Sequence, residues 1–271
     1  MSIPADFRLL CRREKFTSHT SGILPNYMQA NLLILPGEVA NDFERLCFRN
    51  PVPCPLLAKT KGSFDKLDND FLINHSGQGF DIRTDIPKYH IFRGGRLIEK
   101  SNNCKVYWRD DYVGFLIGCS YSFEGALINA GLQPKNSILG KNVSMYKTKR
   151  YMDASGIFAK CPYVVSMRPY KEKDLGAVRS ITSEYKLTHG EPIDWGFDGA
   201  IRLGISDLNT PEYGDAIDIE DDEIPIFWGC GVTPHLAVET VGHLIRGYVI
   251  THAPGCMLLL DATYKEFSAT C

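Results

Sequence analysis

The chain has 271 residues, 44% of them hydrophobic and 11% aromatic, with a formal net charge of −2. That supports a substantial core, excludes intrinsic disorder, and leaves no basic field for nucleic acid. Nine cysteines, an odd number with no CxxC pair and no metal-type Cys/His spacing, point to a reducing compartment. No apolar run approaches the ~20 residues that span a bilayer. The opening Met1-Ser-Ile-Pro-Ala-Asp6 has neither secretory nor transit character, so a cytoplasmic location is expected.

In chain order, a polar entry leads to the run Ala30–Leu35, closed by Pro36-Gly37 and read as a strand. Val39, Phe43, Leu46 and Cys47 recur at helical spacing and predict a helix over Glu38–Phe48. Three prolines between Pro51 and Pro55 then force an extended loop. Residues 59 to 80 read as a surface loop. Asp81–Phe92 alternates like a strand, with Gly94-Gly95 as a hairpin turn. Strands over Val143–Thr148 and Tyr163–Arg168, a helix over Lys173–Leu187 and a segment at Ile201–Ile205 follow. The acidic run Asp218–Glu223 reads as a solvated loop. The chain closes with strands at Tyr248–Thr251 and Met257–Leu260.

One local pattern occurs twice. Tyr112–Gly118 runs into Cys119-Ser120-Tyr-Ser122-Phe-Glu124, and Ile224–Gly229 runs into Cys230-Gly-Val-Thr233-Pro234. Each reads as a strand, a Gly-Cys corner and a capped helix start, with Ser120 or Ser122 as one N-cap and Thr233 as the other. Thiols at helix N-termini sit where anions bind and thiol pKa values fall. Two buried structural cysteines at tight turns would give the same string. There is no GxGxxG, no GxxxxGK[ST], no HExxH and no GxSxG. No metal, nucleotide or other cofactor is therefore expected. His189 and His252 are isolated, and His252 has the stronger claim because it stands between a strand and a Pro-Gly turn. Polar groups beside chain breakers, namely Gln29, Asn31, Arg49, Arg83 between Asp81 and Asp85, and Arg168 before Pro169, together suggest a site for a small acid with more than one carboxylate, while each arginine taken alone reads rather as a strand-end ion pair.

Seven strings carry a resemblance. They are Gln29-Ala-Asn-Leu32, Arg49-Asn-Pro-Val-Pro-Cys-Pro-Leu-Leu57, Asp81-Ile-Arg-Thr-Asp-Ile-Pro87, Gly118-Cys-Ser-Tyr-Ser-Phe-Glu124, Val165-Ser-Met-Arg-Pro169, Gly229-Cys-Gly-Val-Thr-Pro234 and Thr251-His-Ala-Pro-Gly255. In that order, from about Gly22 to Asp261, they resemble the D-glutamate cyclase family. The resemblance implies an αβ fold of two interlocked parts and a hydro-lyase that converts D-glutamate to 5-oxo-D-proline with loss of water. The chain departs from the family pattern in having His235 in place of Gln, Cys256 in place of His, and a longer segment over Glu239–Tyr248.

Such cyclisation needs a base, an acid and an oxyanion site. The expected roles are His252 with Glu124 or Asp85 for proton transfer, and Arg83 and Arg168 for the α-carboxylate. The helix starts at Ser120–Ser122 and Val232–Thr233 would form the oxyanion site. Glu124 in a first helical turn is equally explained by capping. Two alternatives stay open: a cofactor-independent racemase or epimerase using Cys119 and Cys230 as paired acid and base, and a non-catalytic binder of small carboxylates. The expected architecture is α/β (mixed α+β). A main αβ domain of residues 1–140 and 208–271 carries both Gly-Cys corners on one sheet, and 141–207 is a smaller inserted αβ domain. The expected partner is a small-molecule carboxylate, with no nucleic acid and no membrane, and assembly as a homodimer stays open.

Overall fold

The computed structural model describes residues 3–73 and 79–270. The strands run β1 (Tyr27–Pro36), β2 (Leu56–Lys59), β3 (Tyr89–Arg93), β4 (Arg96–Ser101) and β5 (Tyr112–Gly118). Then come β6 (Ser144–Tyr151), β7 (Pro162–Lys171), β8 (Asp194–Trp195), β9 (Glu223–Gly229), β10 (Tyr248–His252) and β11 (Leu258–Thr263). The helices are α1 (Pro4–Arg12), α2 (Gly37–Arg49), α3 (Glu124–Asn129), α4 (Lys135–Ile138), α5 (Leu175–Ser183), α6 (Gly196–Leu203), α7 (Thr233–Val241) and α8 (Tyr264–Ser268). The fold is mixed α and β.

Two antiparallel sheets organise these elements. The first runs β2-β5-β1-β10-β3-β4, with β11 pairing β1 beyond the end of β10; the second runs β6-β7-β9-β8. β1 is buried along nearly its whole length, which is why it reads as an apolar run interrupted only by Gln29 and Asn31. Its α2-facing side buries Leu33 and Leu35 against Phe43 and Leu46; its other side packs Leu32 and Ile34 with Ile82, Ile86 and Leu116. The second sheet is likewise covered on both faces, by Phe123, Leu127 and Val178 from α3, its lead-in and α5, and by Ala200 and Leu203 of α6. Gly94-Gly95 forms the two-residue hairpin between β3 and β4, with φ of 58° and 77° and Arg93 opposite Arg96.

Four expectations are corrected. β9 pairs with β7 from Val165↔Gly229 to Lys171↔Glu223, so the Cys230 corner belongs to the second sheet while the Cys119 corner ends a strand of the first. β7 and β9 are both apolar runs that need two-sided burial, and nothing local to either string names its neighbour. Residues 59 to 80 are not merely a surface loop, since Leu67, Leu72, Ile73 and Phe80 bury against the first sheet; residues 74–78 of that stretch lie outside the described residues. The strand expected over Asp81–Phe92 is confined to Tyr89–Phe92, because the Asp81 carbonyl accepts the N–H groups of Thr84 (3.0 Å) and Asp85 (3.1 Å) and closes a turn. The helix expected over Lys173–Leu187 is regular only through α5, with short 3-10 turns on either side.

Candidate active site

A small core cluster joins the sheets, holding Cys119 and Tyr121 from one corner, Cys230 and Val232 from the other, and Val143, Met145, Val164 and Met257. The two corners repeat in geometry as they do in sequence. Tyr121 N–H donates to Cys119 Sγ, and Val232 N–H donates to Cys230 Sγ, each at 3.5 Å. The cysteine itself therefore caps its corner, in place of the serine or threonine expected. Ser122 is taken up by β1, its hydroxyl accepting Gln29 N–H at 3.0 Å. Thr233 donates to Cys230 O at 2.7 Å and accepts Val164 N–H at 3.1 Å, binding α7 to β7.

The expected thiolates are not there. Burial pushes the Cys230 thiol up to about 12 and raises Cys119 as well, outweighing the single N–H each receives. Both remain protonated S–H groups at neutral pH.

Between the corners lies a cavity of about 20 Å³, room for about one water. Both cysteines line it, with Asn31, Ser120, Tyr121 and His189. His189 Nδ1 lies 2.7 Å from Val52 O; a carbonyl only accepts, so Nδ1 carries the proton and Nε2 presents a lone pair. Nε2 is buried and makes no well-formed hydrogen bond, although the Gly118 backbone stands close enough to act on the ring. Burial lowers this imidazole to about 4, leaving it uncharged at neutral pH. His189 has φ +88°, in the left-handed region that strains any residue with a Cβ, and Gly190 follows at +69°. The loop is seated on the first corner, where a Cβ at Gly118 would lie 2.0 Å from Leu187 O.

Beneath Ser120 sits a buried ion pair. Arg168, fully buried, reaches Glu124 at 2.9 Å and Ser120 Oγ at 3.1 Å, beside the rings of Phe123 and Trp228. Its charge acts on Cys119, Cys230 and His189 together. Arg168 is thus not open to a ligand as it stands, and Glu124 serves the arginine and accepts from Ser21 Oγ at 3.1 Å. Asn31 Nδ2 donates to Gly118 O at 2.8 Å, and glycine is required at 231 because a Cβ would lie 1.9 Å from that nitrogen.

The other expected site residues lie elsewhere. Arg83 is forked onto Asp81 at 2.9 Å and stacked over Phe64, so the aspartate that was to aim it occupies it instead. Asp85 is fully buried against Arg12 at 2.8 Å. Arg49 is exposed at the end of α2. Gln29 is spent on Thr20 and Ile23. His252 lies at the point where β1 changes partner, from β10 at Leu33 to β11 at Ala30. Its Nδ1 lies 3.1 Å from both the N–H and the carbonyl oxygen of Leu32, filling the place of a ladder partner for that residue, and His235 Nε2 lies 3.3 Å away. Among the described residues, no group of three or more His, Cys, Asp or Glu side chains is arranged to hold a metal ion. Nor is any helix long and apolar enough to cross a membrane.

The family described as D-glutamate cyclase matches residues 113–261, a stretch holding both corners, Arg168, His189 and His252. The chain belongs to the D-glutamate cyclase family. It is similar over nearly its full length to proteins named "Putative hydro-lyase" from several organisms. The protein from Schizosaccharomyces pombe is 43% identical over 97% of this chain and 85% of its own length. That from Aliivibrio fischeri is 42% identical over 97% and 94%, and that from Rubrobacter xylanophilus 42% over 97% of each chain. A solved nitrogen repressor-like protein from Methanococcus jannaschii aligns with a TM-score of 0.39 and 9% identity, too remote to carry an argument.

His189 is the cavity residue that the sequence reading set aside as isolated. The available signal was the His189-Gly190 pair: histidine is among the side chains enriched in the left-handed region, and a glycine beside it marks a tight turn. Nothing local showed that this turn lies over a corner some seventy residues earlier in the chain.

Proposed function

We propose that the cavity between the two Gly-Cys corners is the site at which D-glutamate closes to 5-oxo-D-proline with release of water. The observation that carries this reading is His189 Nε2, a buried, uncharged imidazole nitrogen with no well-formed hydrogen bond, lining a cavity shared with two protonated thiols. Ring closure moves two protons off the ammonium nitrogen and two onto the departing γ-carboxylate oxygen, which leaves as water while the nitrogen forms the amide. Nε2 is the acceptor for the first transfer. The S–H groups of Cys119 and Cys230 are donors facing the oxygen that leaves. Once released from Glu124, Arg168 would stabilise the negative charge that develops on the attacked carboxyl group. A dicarboxylate entering the cavity would in turn raise the imidazole pKa from about 4 toward the operating pH.

Space for one water does not hold glutamate, so catalysis requires the cavity to open. Its walls come from both sheets and from the 187–190 turn, and their separation would admit a substrate. Incubation with D- and L-glutamate, followed by mass spectrometry, should show a product lighter by one water from the D-isomer. The same reaction in D₂O should leave the α-carbon undeuterated. Exchange at that carbon without loss of water would replace this reading with the racemase, and neither change with either isomer would reject the substrate.

A further inference from the structure

Beside the cavity runs an open groove of about 440 Å³ that is lined by Lys88, Lys100 and His90 and by one acid, Asp215. Lys88 lies just before β3 and lines the groove together with His90, and Lys100 of β4 pairs directly across from His90. The lysines that form ion pairs among the described residues are Lys59, Lys135, Lys147 and Lys171, which leaves Lys88 and Lys100 without a carboxylate. Burial, and then the charges of Lys100 and Lys88, hold the His90 imidazole down at about 4. An anion placed among the three would relieve that like-charge crowding.

His19 Nδ1 at the groove is buried without a hydrogen-bond partner, and the Tyr213 hydroxyl, which also makes no well-formed hydrogen bond, faces the carboxylates of Glu239 and Glu212. The acid on the groove wall, Asp215, already accepts Asn142 N–H at 2.8 Å. Asn142 is also the partition toward the cavity. Its Oδ1 accepts from the Tyr121 hydroxyl at 2.6 Å and its Nδ2 donates to Pro254 O at 3.2 Å. Tyr121 lines the cavity, and at Gly255 a Cβ would lie 2.5 Å from Asn142 Nδ2.

We propose that this groove is a binding site for a small dicarboxylate, held through a carboxylate between Lys88 and Lys100, and that substrate passes from it into the cavity by displacing Asn142. The identity of the ligand rests on the D-glutamate reading; the charge of the groove does not. The probe is glutarate, which has both carboxylates and no amine to cyclise, titrated calorimetrically into the wild-type protein and into Lys88→Glu/Lys100→Glu. Both lysines are exposed, so the double variant retains its fold.

Charge reversal should weaken glutarate binding by roughly tenfold or more, and added salt should weaken binding to the wild type. For D-glutamate, KM should rise by a similar factor while kcat changes little. No binding of glutarate to the wild type, or binding indifferent to charge reversal, overturns the proposal. If glutarate binding collapses in the double variant but D-glutamate is never turned over, the groove stands and the cyclase reading falls. If D-glutamate is turned over with an unchanged KM in the double variant, the reverse holds.

Discussion

His189 and His252 are alike in every bulk respect. Both are fully buried with an imidazole held at about 4 by burial, and both have an Nε2 without a well-formed hydrogen bond. They differ in what the rest of the ring does. His252 Nδ1 supplies the ladder contact that Leu32 loses where β1 passes from β10 to β11, so its presence is explained by the sheet. His189 is held in left-handed backbone over a cavity lined by two thiols, and nothing in the sheets requires an imidazole there. Burial and a shifted pKa therefore do not locate a catalytic group. We propose His189 instead on its strained backbone and its place on the cavity wall.

The largest stability effect should come from the brace under the site. Glu124→Ala leaves the Arg168 guanidinium buried and unpaired, and denaturant unfolding should show a loss of about 3–5 kcal/mol. Acid should act next, and on both histidines alike. Each has a folded pKa of about 4 against an ordinary value near 6.5, so the unfolded chain binds the extra proton within that window. Stability should be flat above pH 6.5 and fall as pH drops toward 4, by up to about 3 kcal/mol for each histidine. Replacing either one with asparagine should make the fall shallower, and an unchanged slope in both variants would mean that neither is buried in its neutral form.

His252→Ala should cost about 1–3 kcal/mol, because it leaves a Leu32 backbone polar group without its partner, and kcat should stay near wild type. A hundredfold loss of turnover in a folded His252→Ala protein would reverse the assignment of the two histidines. The smallest effect belongs to Arg83→Lys. The partly exposed fork onto Asp81 weakens by no more than about 1 kcal/mol, and KM should not move, since the guanidinium does not reach the cavity.

What the sequence made legible was local. Gly-Gly at 94–95, the apolar period of α2 and the two Gly-Cys corners all follow from the chemistry of a few adjacent residues. What it hid was set by partners far along the chain. The Asp81–Asp85 stretch alternates like a strand but is closed by its own Asp81 carbonyl, and the aspartates beside Arg83 that seemed to aim it at a ligand instead hold it or pair with Arg12. The helix-start environment promised low thiol pKa values, but whether one N–H prevails over burial depends on how the two sheets close around the sulfurs. Which sheet receives β9, and so which residues of the 187–190 turn look onto both corners, is likewise a tertiary fact.

One pair of variants tests the central claim most directly: kcat on D-glutamate for His189→Asn beside His252→Asn. Asparagine tolerates the left-handed backbone at 189, and its amide can replace Nδ1, donating to Val52 O at 189 and meeting the Leu32 backbone at 252 through its oxygen or its NH₂, while Nε2 is lost at both. His189→Asn should fold normally and lose turnover by roughly 10²-fold or more, and His252→Asn should keep most of it. Wild-type turnover in His189→Asn would contradict the account, because the atom it assigns to proton transfer would then be dispensable.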